Sequence, residues 1–130
     1  MQERKAFLNR LPQIIQKVQE EIRWKPGSAA RHLLKRKLRG HLPTIATLAD
    51  YEQIIRRILT TSEATVYLYR HQDIIYPTVI CPLDRNLWMV MFSADAIMET
   101  AFVIENPDSY LQPSLFERVG SLDEVLHGSK

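Results

Sequence analysis

The sequence predicts an α+β domain: N-terminal helices packed on a four-stranded antiparallel sheet, then a short helical tail. Three observations predict it. Apolar residues recur at helical spacing as far as Leu59. After Ser62 the pattern changes to short runs of strand formers. The links between those runs are short, which favours antiparallel neighbours in a meander. At 130 residues and 45% hydrophobic, the chain has the size and composition of one domain with one core. Within it, 1–24 reads as an amphipathic helix, 28–111 as the α+β core and 112–130 as a tail.

The first helix carries Phe7, Leu11, Ile14, Ile15, Val18 and Ile22 as one apolar stripe. Pro12 interrupts it, so a kink or a true start near Leu11 is expected. Lys25-Pro26-Gly27-Ser28 is a break, with Ser28 as the expected N-cap of a second helix running to about Arg39. Gly40 suits its C-terminus. Thr47 begins the third helix, with Asp50 at the capping-box position. Tyr51, Ile54, Ile55, Ile58 and Leu59 supply its buried face.

Four strands are expected next. Ala64 to Arg70 is the first, and His71-Gln72-Asp73 turns the chain. Ile74 to Cys81 is the second, where Pro77 points to an edge or a bulge. Pro82 to Asn86 turns again. Leu87 to Ser93 is apolar on both faces and therefore reads as central. Met98 to Ile104 is the fourth strand, which Asn106-Pro107-Asp108 ends. Trp24 and Trp88 read as packing anchors, and Cys81, in an apolar run, as a buried thiol.

Charge is unevenly placed. The net charge is only +2, yet no acidic residue occurs from Ile22 to Ala49. Arg23, Lys25, Arg31, Lys35, Arg36, Lys37 and Arg39 crowd that stretch, together with His32 and His41. A local basic field attracts phosphates, and histidine moves protons near neutral pH. The plain alternative is a solvated helix face. A single cysteine rules out an intrachain disulfide and fits a reducing, cytoplasmic setting. No apolar run is long enough for a membrane span, so no membrane partner is expected.

The motifs of several chemistries are missing. The histidines lack metal-ligand spacing, and there is no Gly-rich phosphate loop or nucleophile elbow, so neither a metal nor a cofactor is called for. Metal-free RNA cleavage needs less. The 2′-hydroxyl is its own nucleophile, and the protein supplies a base, an acid and cations for the transition state. Tyr67, Tyr69 and Tyr76 have the chemistry to stack bases, although aromatic residues also belong in strands as packing.

Several segments together resemble the barnase–EndoU–colicin–RelE superfamily of small ribonucleases, most closely its phage- and toxin-associated branches. They are Arg31-His32, Gly40-His41-Leu42-Pro43, Leu48-Ala49-Asp50-Tyr51-Glu52, Val66-Tyr67-Leu68-Tyr69, Glu99-Thr100-Ala101-Phe102 and Asp108-Ser109-Tyr110-Leu111. The resemblance implies a metal-independent endoribonuclease of toxin type, acting on transfer RNA or other structured RNA in the cytoplasm. It implies catalytic roles for His41, His32 and Thr100, with His41 as the expected base. It also implies Arg70 as a phosphate ligand, while the basic segment itself offers Arg31 to assist at the phosphate and Lys35 and Arg39 to steer RNA, with Tyr69 as a stacking residue. Two other classes stay open. One is a nucleic-acid-binding module with a degenerate nuclease fold. The other is an interaction domain whose first helix packs on a second copy or on an antitoxin.

Overall fold

The computed structural model describes residues 2–128. Three helices come first: α1 (Gln2–Glu20), α2 (Ser28–Leu38) and α3 (Leu48–Leu59). Strands β1 (Thr65–His71), β2 (Ile74–Leu83), β3 (Asn86–Phe92) and β4 (Met98–Val103) follow. The chain ends in α4 (Pro107–Tyr110), β5 (Phe116–Ser121) and α5 (Leu122–His127). The sheet order is β4-β3-β2-β1-β5, with every neighbouring pair antiparallel.

The α+β architecture is as expected, but the sheet has five strands rather than four. The fifth comes from the stretch read as a tail. Phe-Glu-Arg-Val-Gly-Ser has no clean alternation, so nothing local marks it as a strand. It forms because β1 has a free side for it, and because Phe116 is buried beneath the sheet.

The α1 stripe is buried as predicted. Phe7, Leu11, Ile14, Ile15, Val18 and Ile22 all enter the larger core with the α3 residues Tyr51, Ile55, Ile58 and Leu59. Each such burial contributes about 1.5–3 kcal/mol. That contact occupies the apolar face proposed for a second copy or an antitoxin, so the stripe is a core element of this chain. The helix runs through Pro12 without a break, and no start near Leu11 is seen. Proline inside a helix costs about 3 kcal/mol, which the buried residues on either side offset.

Two caps differ in outcome. Thr47 and Asp50 exchange both hydrogen bonds of the capping box. Ser28, however, is the first helical residue of α2 and not its N-cap. Its N–H donates to the Lys25 carbonyl at 2.9 Å, closing a turn with Pro26 and Gly27 in the middle. Gly27 adopts φ 77°, the left-handed conformation that the third position of a type II turn requires. Pro77 is not on an edge strand, because β2 lies between β1 and β3. The β2–β3 ladder starts only at Thr78, so the missing N–H falls just outside it.

The sheet separates two cores. On one face, Val66, Leu68, Val79, Cys81, Trp88, Val90 and Phe92 meet the helices. On the other, Ile80, Met89, Met91, Ile104 and Phe116 cluster with Tyr67, Tyr69, Tyr76, Phe102 and Tyr110. β4 and β5 are the two edge strands, so residues 104–115 cross the sheet on this second face. The outer edge of β4 is partly covered by Arg23 and Trp24, with Met98 N–H donating to the Arg23 carbonyl at 2.8 Å.

Two consequences are measurable. Thr47→Ala removes one bond of the capping box and is expected to cost about 0.5–2 kcal/mol in urea denaturation. Deleting residues after Ser114 removes β5 and the Phe116 anchor. The shortened chain is expected to lose cooperative thermal unfolding, and a transition like the full chain's would contradict the role given to β5.

Candidate functional site

The basic segment forms one wall of a cleft. His32, Lys35, Arg36 and Arg39 recur at i, i+3, i+4 and i+7, so α2 presents them along one stripe. Across from them lie Thr100, Phe102, Val103 and Ile104 of β4 and its end, then Glu105, Asn106, Ser109 and Tyr110 of the crossover. The cavity measures about 410 Å³, within the range of small-molecule sites.

The end of α2 sets His41. Gly40 N–H donates to the Lys37 carbonyl at 3.1 Å and His41 N–H to the Arg36 carbonyl at 2.8 Å. This is a Schellman ending, and its left-handed residue is Gly40 at φ 75°. His41 leaves the helix directly into the cleft wall, with its side chain only 6% exposed. Its Nδ1 accepts the Val103 backbone N–H at 3.3 Å. An amide can only donate, so the ring proton sits on Nε2. Nε2 lies 3.2 Å from a Glu105 carboxylate oxygen and donates to it.

His32 is differently placed. Its Nδ1 is 3.3 Å from the Thr100 hydroxyl, and its ring lies 5.7 Å from that of Trp24. Partial burial holds its pKa below the usual histidine value, and the charges of Arg36, Lys35 and Arg31 add to the effect against an opposing Glu99. It is therefore a neutral imidazole at pH 7, competent to accept a proton.

Arg36 is the unusual residue of the site. It is 3% exposed, and its Nε has no hydrogen-bond partner among the described residues. No carboxylate of the described residues forms an ion pair with it. Its guanidinium carbon lies 5.3 Å from the centre of the Phe102 ring, a cation–π contact that offsets part of the burial. Burial lowers its pKa, Tyr51 opposes that, and Arg39 adds to it. Arginine nevertheless stays charged at neutral pH. Tyr51 gives no countercharge, because burial pushes its pKa to about 12 and its hydroxyl donates to the Ala101 carbonyl. A buried cation without a counterion costs several kcal/mol.

His32, His41, Thr100, Lys35 and Arg39 thus line one cleft. Arg31 does not line it and acts through its charge on His32. Arg70 and Tyr69 lie elsewhere. Arg70 pairs with Glu117 at 3.4 Å, and the Tyr69 ring sits 4.8 Å from that of Phe116 in the second core. The sequence assigns no site role to Arg36, Glu105, Asn106, Ser109 or Tyr110, although Arg36 lies in the basic run and Ser109 and Tyr110 in a segment that carries the resemblance. The helical spacing from His32 and Lys35 was signal enough for Arg36. Glu105 and Asn106 of the crossover carry no local signal of a site. Among the described residues, no three histidine, cysteine or carboxylate side chains group as metal ligands, and no helix is long and apolar enough to cross a membrane.

No protein-family model, curated protein or solved structure matches this chain, so the superfamily resemblance rests on its residues alone.

Proposed function

We propose that the cleft binds an RNA phosphate and that the protein is a metal-independent endoribonuclease. The observation that carries this reading is Arg36, a buried and unpaired cation in a cleft with Lys35 and Arg39. An anion is the ligand that offsets its burial, and a phosphodiester suits the planar fork of a guanidinium. In this reading His32 takes the proton of the 2′-hydroxyl. The 2′-oxygen attacks phosphorus and the bond to the 5′-oxygen breaks. The leaving oxygen takes a proton from Lys35, giving a 2′,3′-cyclic phosphate and a free 5′-hydroxyl. Arg36 and Arg39 stabilise the charge that develops on the phosphoryl oxygens. Thr100 orients His32.

His41 takes another role than the one expected of it. Its Nδ1 lone pair is engaged by Val103, which leaves no acceptor for a substrate proton. It acts as a positioning residue that ties the end of α2 to β4 and to Glu105.

Two experiments test this. Phosphate, titrated against chloride at constant ionic strength, is expected to raise Tm. The gain is about 2.7 kcal/mol at a hundredfold excess over Kd, or several degrees. Arg36→Met should abolish the response while leaving the free protein as stable or more so, since it removes an unpaired buried charge. An unchanged response would refute the anion site. Purified protein with total RNA in EDTA should yield fragments ending in cyclic phosphate. His32→Gln should slow this by about 10²- to 10⁴-fold. Because the pKa of His32 is lowered, its neutral fraction grows as pH rises through a value below 6.5. The acid limb of kcat/KM should have its midpoint there. Intact RNA that still binds would favour the non-catalytic module.

A further inference from the structure

The two walls of the cleft differ in chemistry. The α2 wall supplies all its cations. The facing wall from residue 105 to 110 supplies an amide, a hydroxyl and a phenol, with Glu105 engaged by His41. The cavity of about 410 Å³ is also far larger than a phosphate needs. Whatever carries the phosphate must fill the remainder against that second wall.

The Tyr110 phenol on that wall has no hydrogen bond among the described residues, and neither has the exposed side chain of Asn106. Asn106 makes no side-chain capping bond to α4. Its backbone, by contrast, is fixed: its carbonyl accepts from Tyr110 N–H at 3.0 Å and from the Ser109 hydroxyl at 3.3 Å. Pro107 follows directly and fixes its own φ. A carboxamide on a fixed backbone presents two donors and an acceptor oxygen, which is the complement of a nucleobase edge. Beside it, Tyr110 meets Phe102 edge to face, with ring centres 5.7 Å apart. Both rings line the cleft and supply an apolar surface for a flat heterocycle.

We infer that the Asn106–Tyr110 wall is a nucleobase subsite, with Asn106 selecting the base attached to the phosphate that α2 holds. The inference rests on the phosphate reading of the cleft. Its specificity resides in one amide. Selection by such a bidentate contact amounts to roughly 5- to 150-fold between bases.

Calorimetric titration of the full chain with inorganic phosphate and with each of the four nucleoside 3′-monophosphates decides it. Wild type should bind at least one nucleotide well above phosphate and rank the four bases unequally. Asn106→Ala is expected to keep phosphate affinity within twofold and to flatten the ranking. Tyr110→Leu should weaken all four nucleotides and leave phosphate unchanged. Nucleotides bound no better than phosphate would overturn the subsite, as would a ranking that survives Asn106→Ala. Failure of wild type to bind phosphate at all would instead remove the underlying reading, and the subsite with it.

Discussion

β4 and β5 lie at opposite edges of the sheet, and this constraint organises the rest of the molecule. Residues 104–115 have no route between them except across the face that the helices leave open. The crossing supplies Ile104, Tyr110 and Leu111 to a second core. It also brings Glu105 to His41 and sets the wall opposite α2. Without the crossing, α2 would be the solvated basic helix that its composition first suggests.

The cleft places an energetic conflict at the centre of the site. α2 packs on α3 and β4, and that packing drives Arg36 under cover beside Phe102. Nearby groups do not neutralise it. Tyr51 remains a phenol, and Glu105 bonds His41 instead. Perturbed charges of this kind cluster at functional sites, and the anion proposed above would complete this one. Partial burial lowers the pKa of His32 and the charges of Arg36, Lys35 and Arg31 add to it, so the cations of α2 act in the same direction as burial on the neighbouring imidazole.

Local chemistry made much of this legible in the sequence. Thr47 with Asp50, and Gly40 after a run of basic residues, mark helix ends by short-range hydrogen bonding, and both form as read. The stripe from Phe7 to Ile22 is periodic enough to identify a core helix. At Ser28 one local signal overrode another. Ser28 has the side chain of a cap, but the preceding Pro-Gly turn places it inside the helix. β5 was not legible, since its order depends on a partner strand distant in sequence. Of the site, the residues on α2 and the two histidines could be found because they are clustered along the chain. Asn106 could not, and Tyr110 stood out only within a segment that carries the resemblance, because only the crossover brings them near α2. Arg70 and Tyr69 share the right chemistry but lie on the far part of the sheet.

The separation of the two walls along the chain has a kinetic meaning. One wall is complete by His41, and the other depends on a connection anchored by Phe116. Contacts of such long range carry a larger loop-closure cost than contacts within α2. A nascent or partly folded chain therefore carries the full positive charge of α2 without a cleft to direct it. Any activity that needs both walls would therefore require β5 in place, although none of its own residues lines the cleft.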